Sequence, residues 1–139
     1  SLATGLAKLG FVKWIATGIS GSLKGIDPMT TLLILCLINM YVHYAFASLS
    51  AHVSAVYAAF LAVAVAAGAP PMLSAIALGV ETGIMGCLTH YATGPAPIYF
   101  GSGYITQPEW WKVGFVCSIL FLICFLGIGP MWWKMVGLW

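Results

Sequence analysis

The chain is poor in charge. Its 139 residues carry five Lys, no Arg, one Asp and two Glu, so charged residues make up 6% of the sequence. A soluble domain of this size would carry about 25% charged residues, and a compact globule with so few could not cover its surface with solvated groups. The lysines (Lys8, Lys13, Lys24, Lys112 and Lys134) are scattered, which excludes a basic nucleic-acid-binding face. The four cysteines (Cys36, Cys87, Cys117 and Cys124) lie singly inside apolar runs and lack zinc-type pairing. A carboxylate pair, a serine elbow, a P-loop and a metal-ligand cluster are all missing, so nothing points to an enzyme.

What remains is apolar. Hydrophobic residues make up 62% of the chain and the mean hydropathy is +1.03. No Asp, Glu, Lys or Arg occurs between Asp27 and Glu81 or from Val113 to Trp133, and a membrane-crossing helix needs about 20 such residues. The fold class is therefore all-α integral membrane, with the lipid bilayer as first partner. The opening residues Ser1 to Gly5 lack the basic run of a signal peptide, and the chain is expected to be the C-terminal part of a longer transporter.

Residues 1–27 read as an amphipathic or interfacial segment, with apolar positions Leu6, Leu9, Val12, Ile15 and Ile19 at helical spacing. Asp27-Pro28 is a helix start signal, Asp capping and Pro taking the first helical position. The spacing predicts a helix from Met29 to Ala47, a polar tip at Ser48 to Ser54, and a return helix from Val53 to Ala67 closed by Gly68 to Pro71. The return arm is too short to span comfortably, so residues 28–68 read as a re-entrant hairpin. A second helix runs from Met72 to Tyr91 and breaks at Ala92-Thr93-Gly94, with Gly94 near the N-cap and Pro95 beginning a short piece to Phe100. This broken helix occupies about 72–103. Glu109-Trp110-Trp111-Lys112 looks like an interfacial belt, and the last helix covers about 109–136, with Pro130 as a kink or stop and Trp139 among its terminal anchors.

The two polar breaks carry the chemistry. Irregular backbone at bilayer depth is tolerated where it lines a polar cavity. Ser50-Ala51-His52 and Ala92-Thr93-Gly94 each precede a helix N-terminus, and such termini offer free N–H donors and about half a positive elementary charge. Two of them aimed at one cavity bind carboxylates without arginine. The predicted substrate-binding residues are Ser50, Ala51, His52, Thr93, Gly94 and Pro95. Glu81, an acidic residue amid apolar sequence, is a candidate for proton or coupling work; otherwise it pairs with a histidine or with Thr82. His43 and His90 are expected to be structural hydrogen bonders, and Tyr91, Tyr99, Phe100 and Tyr104 packing residues.

The run Ala92-Thr93-Gly94-Pro95-Ala96-Pro97-Ile98-Tyr99-Phe100-Gly101-Ser102-Gly103-Tyr104-Ile105, followed by Glu109-Trp110-Trp111, closely resembles the divalent anion:sodium symporter family. The nearest branch is that of the citrate/succinate and tartrate/succinate antiporters and the plastid 2-oxoglutarate/malate translocators. The resemblance covers Met29 to Trp139 and corresponds to the second of two inverted repeats. It implies antiport of a di- or tricarboxylate (citrate, succinate, tartrate, malate or 2-oxoglutarate) by an elevator motion, in a homodimer of the bacterial inner membrane or, as the lesser alternative, the plastid inner envelope. Where the family has Ser-Asn-Thr at its second hairpin tip, this chain has Ser50-Ala51-His52. The resemblance implies cation contacts at that tip and at backbone matching Ala92, with Ser48 beside them, and a substrate-facing Thr93. The loss of the Asn argues against sodium, and no other cofactor is expected. Two alternatives stay open: sodium-coupled symport, and a structural membrane subunit in which both breaks are packing kinks.

Overall fold

A computed structural model describes residue 10, residues 17 and 18, and residues 25–138. Most of the expected amphipathic segment, and the anchor Trp139, lie outside the described residues. Among the described residues there are helices and turns and no strand.

Helix α1 (Pro28–Val42) begins as the Asp-Pro pair dictates: Asp27 Oδ2 accepts from the N–H groups of Met29 (3.0 Å) and Thr30 (3.1 Å). It tightens into a 3-10 turn (His43–Ala45) and gives way to extended backbone at Phe46. Helix α2 (Leu49–His52) then widens into a π-helical stretch (Val53–Tyr57) and continues as α3 (Ala58–Ala66). This return arm differs from the prediction. It starts four residues before Val53 and reaches 18 residues, long and apolar enough to cross a membrane, as is the 18-residue stretch Pro28–Ala45. At 1.5 Å per residue each measures about 27 Å. Gly68 turns the chain at φ 93°, a left-handed conformation that glycine adopts without a Cβ penalty.

Helix α4 (Pro71–Ile84) ends in a 3-10 turn (Met85–Cys87), short of the predicted Tyr91. The physical reason is the last helix. Gly114 comes so close that an added Cβ there would collide with the Cys87 carbonyl oxygen and lie 2.9 Å from that of Leu88. The α4 backbone unwinds where its carbonyls meet this neighbour. After the break comes α5 (Ala96–Gly101), then α6 (Gln107–Leu122). Glu109 Oε2 accepts from both the N–H and the hydroxyl of Thr106 (2.7 Å each), a capping box that moves the start two residues ahead of Glu109.

Pro130 neither stops nor sharply ends the last helix. The helix widens into a π-helical stretch (Ile123–Ile128) and resumes as α7 (Gly129–Met135). Pro130 has no N–H to offer the carbonyl four residues earlier, and a π-helical stretch is one way to accommodate that loss. The rod from Gln107 to Met135 has 29 residues.

Helices α1, α3 and α4 pack around a core that includes Leu32, Leu35, Phe60, Ala64, Leu73 and Ala77, joined by Trp133 from α7. Small residues at Ala64 and Ala77, both fully buried, let these helices approach closely, which is what drives helix association where lipid is as apolar as the protein. A second core of Met40, Met85, Leu88 and Leu122 lies beneath the hairpin tip. The long rod shows a broad apolar face, with Val113, Val116, Leu120 and Ile123 all exposed.

Candidate substrate-binding site

At the tip, Ser48 is the cap. Its backbone is extended (φ −164°, ψ 153°), its Oγ accepts from the Ala51 N–H (3.2 Å) and its carbonyl from the His52 N–H (3.1 Å). Ser50, Ala51 and His52 therefore lie inside the first turn rather than ahead of it, which corrects the predicted register. A first turn leaves its earliest donors free; here the N–H groups of Leu49 and Ser50 enter no hydrogen bond among the described residues. Ser50 is exposed, Ala51 half-buried and His52 wholly buried.

His52 points into the protein. Its Nε2 lies 2.9 Å from Asn39 Oδ1, and Asn39 Nδ2 donates to Glu81 Oε2 at 3.0 Å. With the amide set this way, His52 Nε2 carries the proton and donates. Glu81 is thus joined through Asn39 to a histidine, while Thr82 bonds the Gly79 carbonyl instead (2.6 Å). The His43 ring stands edge-on to His52 at 5.2 Å, and Phe46 does the same at 5.0 Å. Asn39, His43, His52 and Glu81 are at most 2% exposed. Both His43 nitrogens, His52 Nδ1 and Glu81 Oε1 have no hydrogen-bond partner. His43 is therefore not the hydrogen bonder its residue type suggested. Asn39, absent from the predicted site, is its bridge. The available signal was spacing: Cys36, Asn39 and His43 recur at helical intervals on one face of α1 and its 3-10 continuation.

The second break is built differently. Ala92 is buried and its N–H donates to the Thr89 carbonyl (3.2 Å), Thr93 is half-buried, and Gly94 and Pro95 are exposed. Pro95 occupies the cap position and Ala96 opens α5, one residue later than predicted. Gly86 leaves room for Thr93, since a Cβ there would lie 2.6 Å from the Thr93 methyl group. Trp111 Nε1 donates to His90 Nδ1 (3.2 Å), and the His90 ring packs on Phe100 at 4.5 Å, so His90 is a structural hydrogen bonder. Tyr91 and Phe100 pack as expected, but Tyr99 and Tyr104 are 68% and 90% exposed.

Among the described residues no hydrogen bond joins Ser50, Ala51 or His52 to Thr93, Gly94 or Pro95. What links the two breaks is Tyr91 Oη donating to the Tyr44 carbonyl (3.0 Å), together with Leu49 packed against the core of Met40, Met85, Leu88 and Leu122. At the two expected cation-contact positions, Ser48 Oγ accepts the cap bond and the Ala92 N–H donates to Thr89, and neither bond engages the Ala92 carbonyl oxygen. Among the described residues no group of three or more His, Cys, Asp or Glu is placed to hold a metal ion.

Known proteins resemble the chain throughout. It is 47% identical over 138 residues to the candidate malate transporter YflS of Bacillus subtilis, covering 99% of this chain and 29% of that protein. It is 43% identical over 142 residues to the chloroplastic dicarboxylate transporter 1 of Spinacia oleracea (100% and 25%). It is 37% identical over 139 residues to the citrate/succinate antiporter of Escherichia coli K12 (99% and 28%). The chain thus spans a quarter to under a third of the length of these relatives. The family model described as the sodium:sulfate symporter transmembrane region matches residues 1–139, and the chain belongs to that family, the divalent anion:sodium symporters.

Proposed function

We propose that this chain is part of a transporter that exchanges di- and tricarboxylates across a membrane, the bacterial inner membrane being the favoured setting. One observation carries the reading: relatives named for malate, dicarboxylate and citrate/succinate transport align with 99–100% of the chain. The chemistry of the breaks agrees. The unpaired N–H groups of Leu49 and Ser50 and the hydroxyl of Thr93 with the exposed Gly94 and Pro95 are donors and backbone of the kind that hold carboxylates without arginine.

In this reading Ser50, Ala51, His52, Thr93, Gly94 and Pro95 supply half of the substrate site, and the other half comes from elsewhere in a longer homodimeric protein moving as an elevator. His52 acts from beneath the tip. Its Nε2–H is committed to Asn39, so it would donate to a substrate only after gaining a proton on Nδ1. Sodium, as a co-substrate, is the rival coupling ion, favoured by the name of the family. The departure at Ser50-Ala51-His52 favours antiport without it.

Counterflow in proteoliposomes holding the full-length protein tests this. Labelled succinate should enter vesicles loaded with unlabelled succinate, malate or citrate, at rates unchanged when sodium is replaced by choline. Exchange that stops without sodium overturns antiport in favour of symport. Absence of exchange with every acid in the panel, at normal expression and insertion, overturns carboxylate transport and favours a structural subunit.

A further inference from the structure

Four buried polar atoms without a nitrogen or oxygen partner crowd one place: Glu81 Oε1, His52 Nδ1 and both nitrogens of His43, and the Cys36 thiol lies against the Glu81 carboxyl. They surround the chain of hydrogen bonds from His52 through Asn39 to Glu81. Native interiors leave few such atoms, and each costs about 1–3 kcal/mol when buried dry. Glu81 is fully buried and, among the described residues, makes no ion pair. A carboxylate in that position, next to two neutral imidazoles, would leave a net negative charge in a dry interior, which is costly.

A single added proton removes that charge in either of two arrangements. In one, it sits on His52 Nδ1, and an imidazolium faces a carboxylate through the Asn39 amide in its present orientation. In the other, it sits on Glu81, which donates to Asn39 Oδ1 after the amide turns over, and Asn39 Nδ2 donates to His52 Nε2. An amide is the side chain that can serve both, because it has a donor and an acceptor on one planar group.

We propose that Glu81, Asn39 and His52 form a one-proton site beneath the hairpin tip, and that the anion bound at that tip draws the proton from Glu81 to His52 and holds it there. The proposal rests on the carboxylate reading above. An anion near Ser50 favours the arrangement with the proton on His52 Nδ1, two residues along the same helical turn, since opposite charges in a low-dielectric site attract strongly. Conversely, the proton strengthens anion binding by the same factor, as linkage requires. The other titratable groups facing the cluster are Cys36 and His43 from α1 and its 3-10 turn. Tyr57, on the stretch following α2, donates to the Ala75 carbonyl of α4 (3.0 Å), and Cys87, just past α4, faces the Ile84 and Gly114 carbonyls. Glu109 and Lys112 of α6 are exposed.

The test is calorimetric titration of succinate into the full-length protein in detergent, in two buffers of different ionisation enthalpy, at pH values where succinate stays ionised. The wild type should take up a fraction of a proton per succinate that rises toward one as the pH is raised until the anion-free site loses its proton, and over that range its affinity should fall by up to about tenfold per unit rise in pH. Glu81→Gln, which removes the carboxylate that balances an imidazolium at His52, should bind with uptake well below that of the wild type and a flatter pH profile. Wild-type binding without proton uptake at any pH in that range, or equal uptake by wild type and Glu81→Gln, overturns the proton site while leaving carboxylate binding intact. Failure of the wild type to bind succinate or any other acid of the exchange panel overturns the carboxylate reading and this proposal with it. If Glu81→Gln does not fold, the wild-type stoichiometry alone decides.

Discussion

The two helix breaks look alike in sequence and are built on opposite principles. At the hairpin tip the polar side chains turn inward: His52 is wholly buried and tied to Asn39, while Ser50 is left outside. At the second break the aromatic residues His90, Phe100 and Trp111 pack around the turn, and Gly94 and Pro95 are left open. The tip is thus a backbone surface backed by a buried polar interior, the break a backbone surface backed by packed rings. If one element of this molecule senses charge, it is the tip. The other holds shape.

That contrast is broken most severely at Asn39. Asn39→Leu would leave Glu81 Oε2 and the His52 Nε2–H buried without partners, and should destabilise the full-length protein by about 3 kcal/mol. Thermal unfolding in detergent reads this as a large fall in midpoint; a midpoint within error of wild type would show that the polar interior is no support of the fold. The matching perturbation at the second break is Gly114→Ala. Its Cβ would meet backbone oxygens of Cys87 and Leu88 rather than the end of a flexible side chain, so α6 or the break itself must shift. The expected cost is about 1–3 kcal/mol, with slowed exchange because Thr93 follows the same turn. Unaltered unfolding and exchange would mean that the break does not depend on how closely α6 approaches.

Local signals told much of the fold in advance. Asp27-Pro28 and Gly68 act within a few residues of themselves, and a helix starts and the chain turns there; Thr106 is an equally local signal, which the expected start at Glu109 overlooked. The tip was harder because Ser48, Ser50 and Ser54 are equally good caps by residue type. Packing His52 against Asn39, 13 residues away, accompanies the choice of Ser48. The bridge from Asn39 to Glu81 spans 42 residues, and no periodicity within either helix reveals which faces will meet. The end of α4 was misplaced for a similar reason, since Gly114 lies 27 residues beyond the Cys87 it crowds.

Gly94→Ala should have the smallest effect on stability and separates shape from binding at the second break. Gly94 is exposed, its φ lies outside the left-handed region, and a Cβ added there meets nothing within 4 Å. Its folding cost should stay below about 0.5 kcal/mol, in contrast to Gly114, where the same methyl group has no room. Any weakening of exchange therefore reports on what approaches the break from outside this chain's own packing. A reduced apparent affinity for succinate with an unchanged unfolding midpoint supports carboxylate binding against the backbone at Gly94 and Pro95. Unchanged affinity and unchanged unfolding together would remove Gly94 from the site and leave the tip to hold the anion with Thr93 alone.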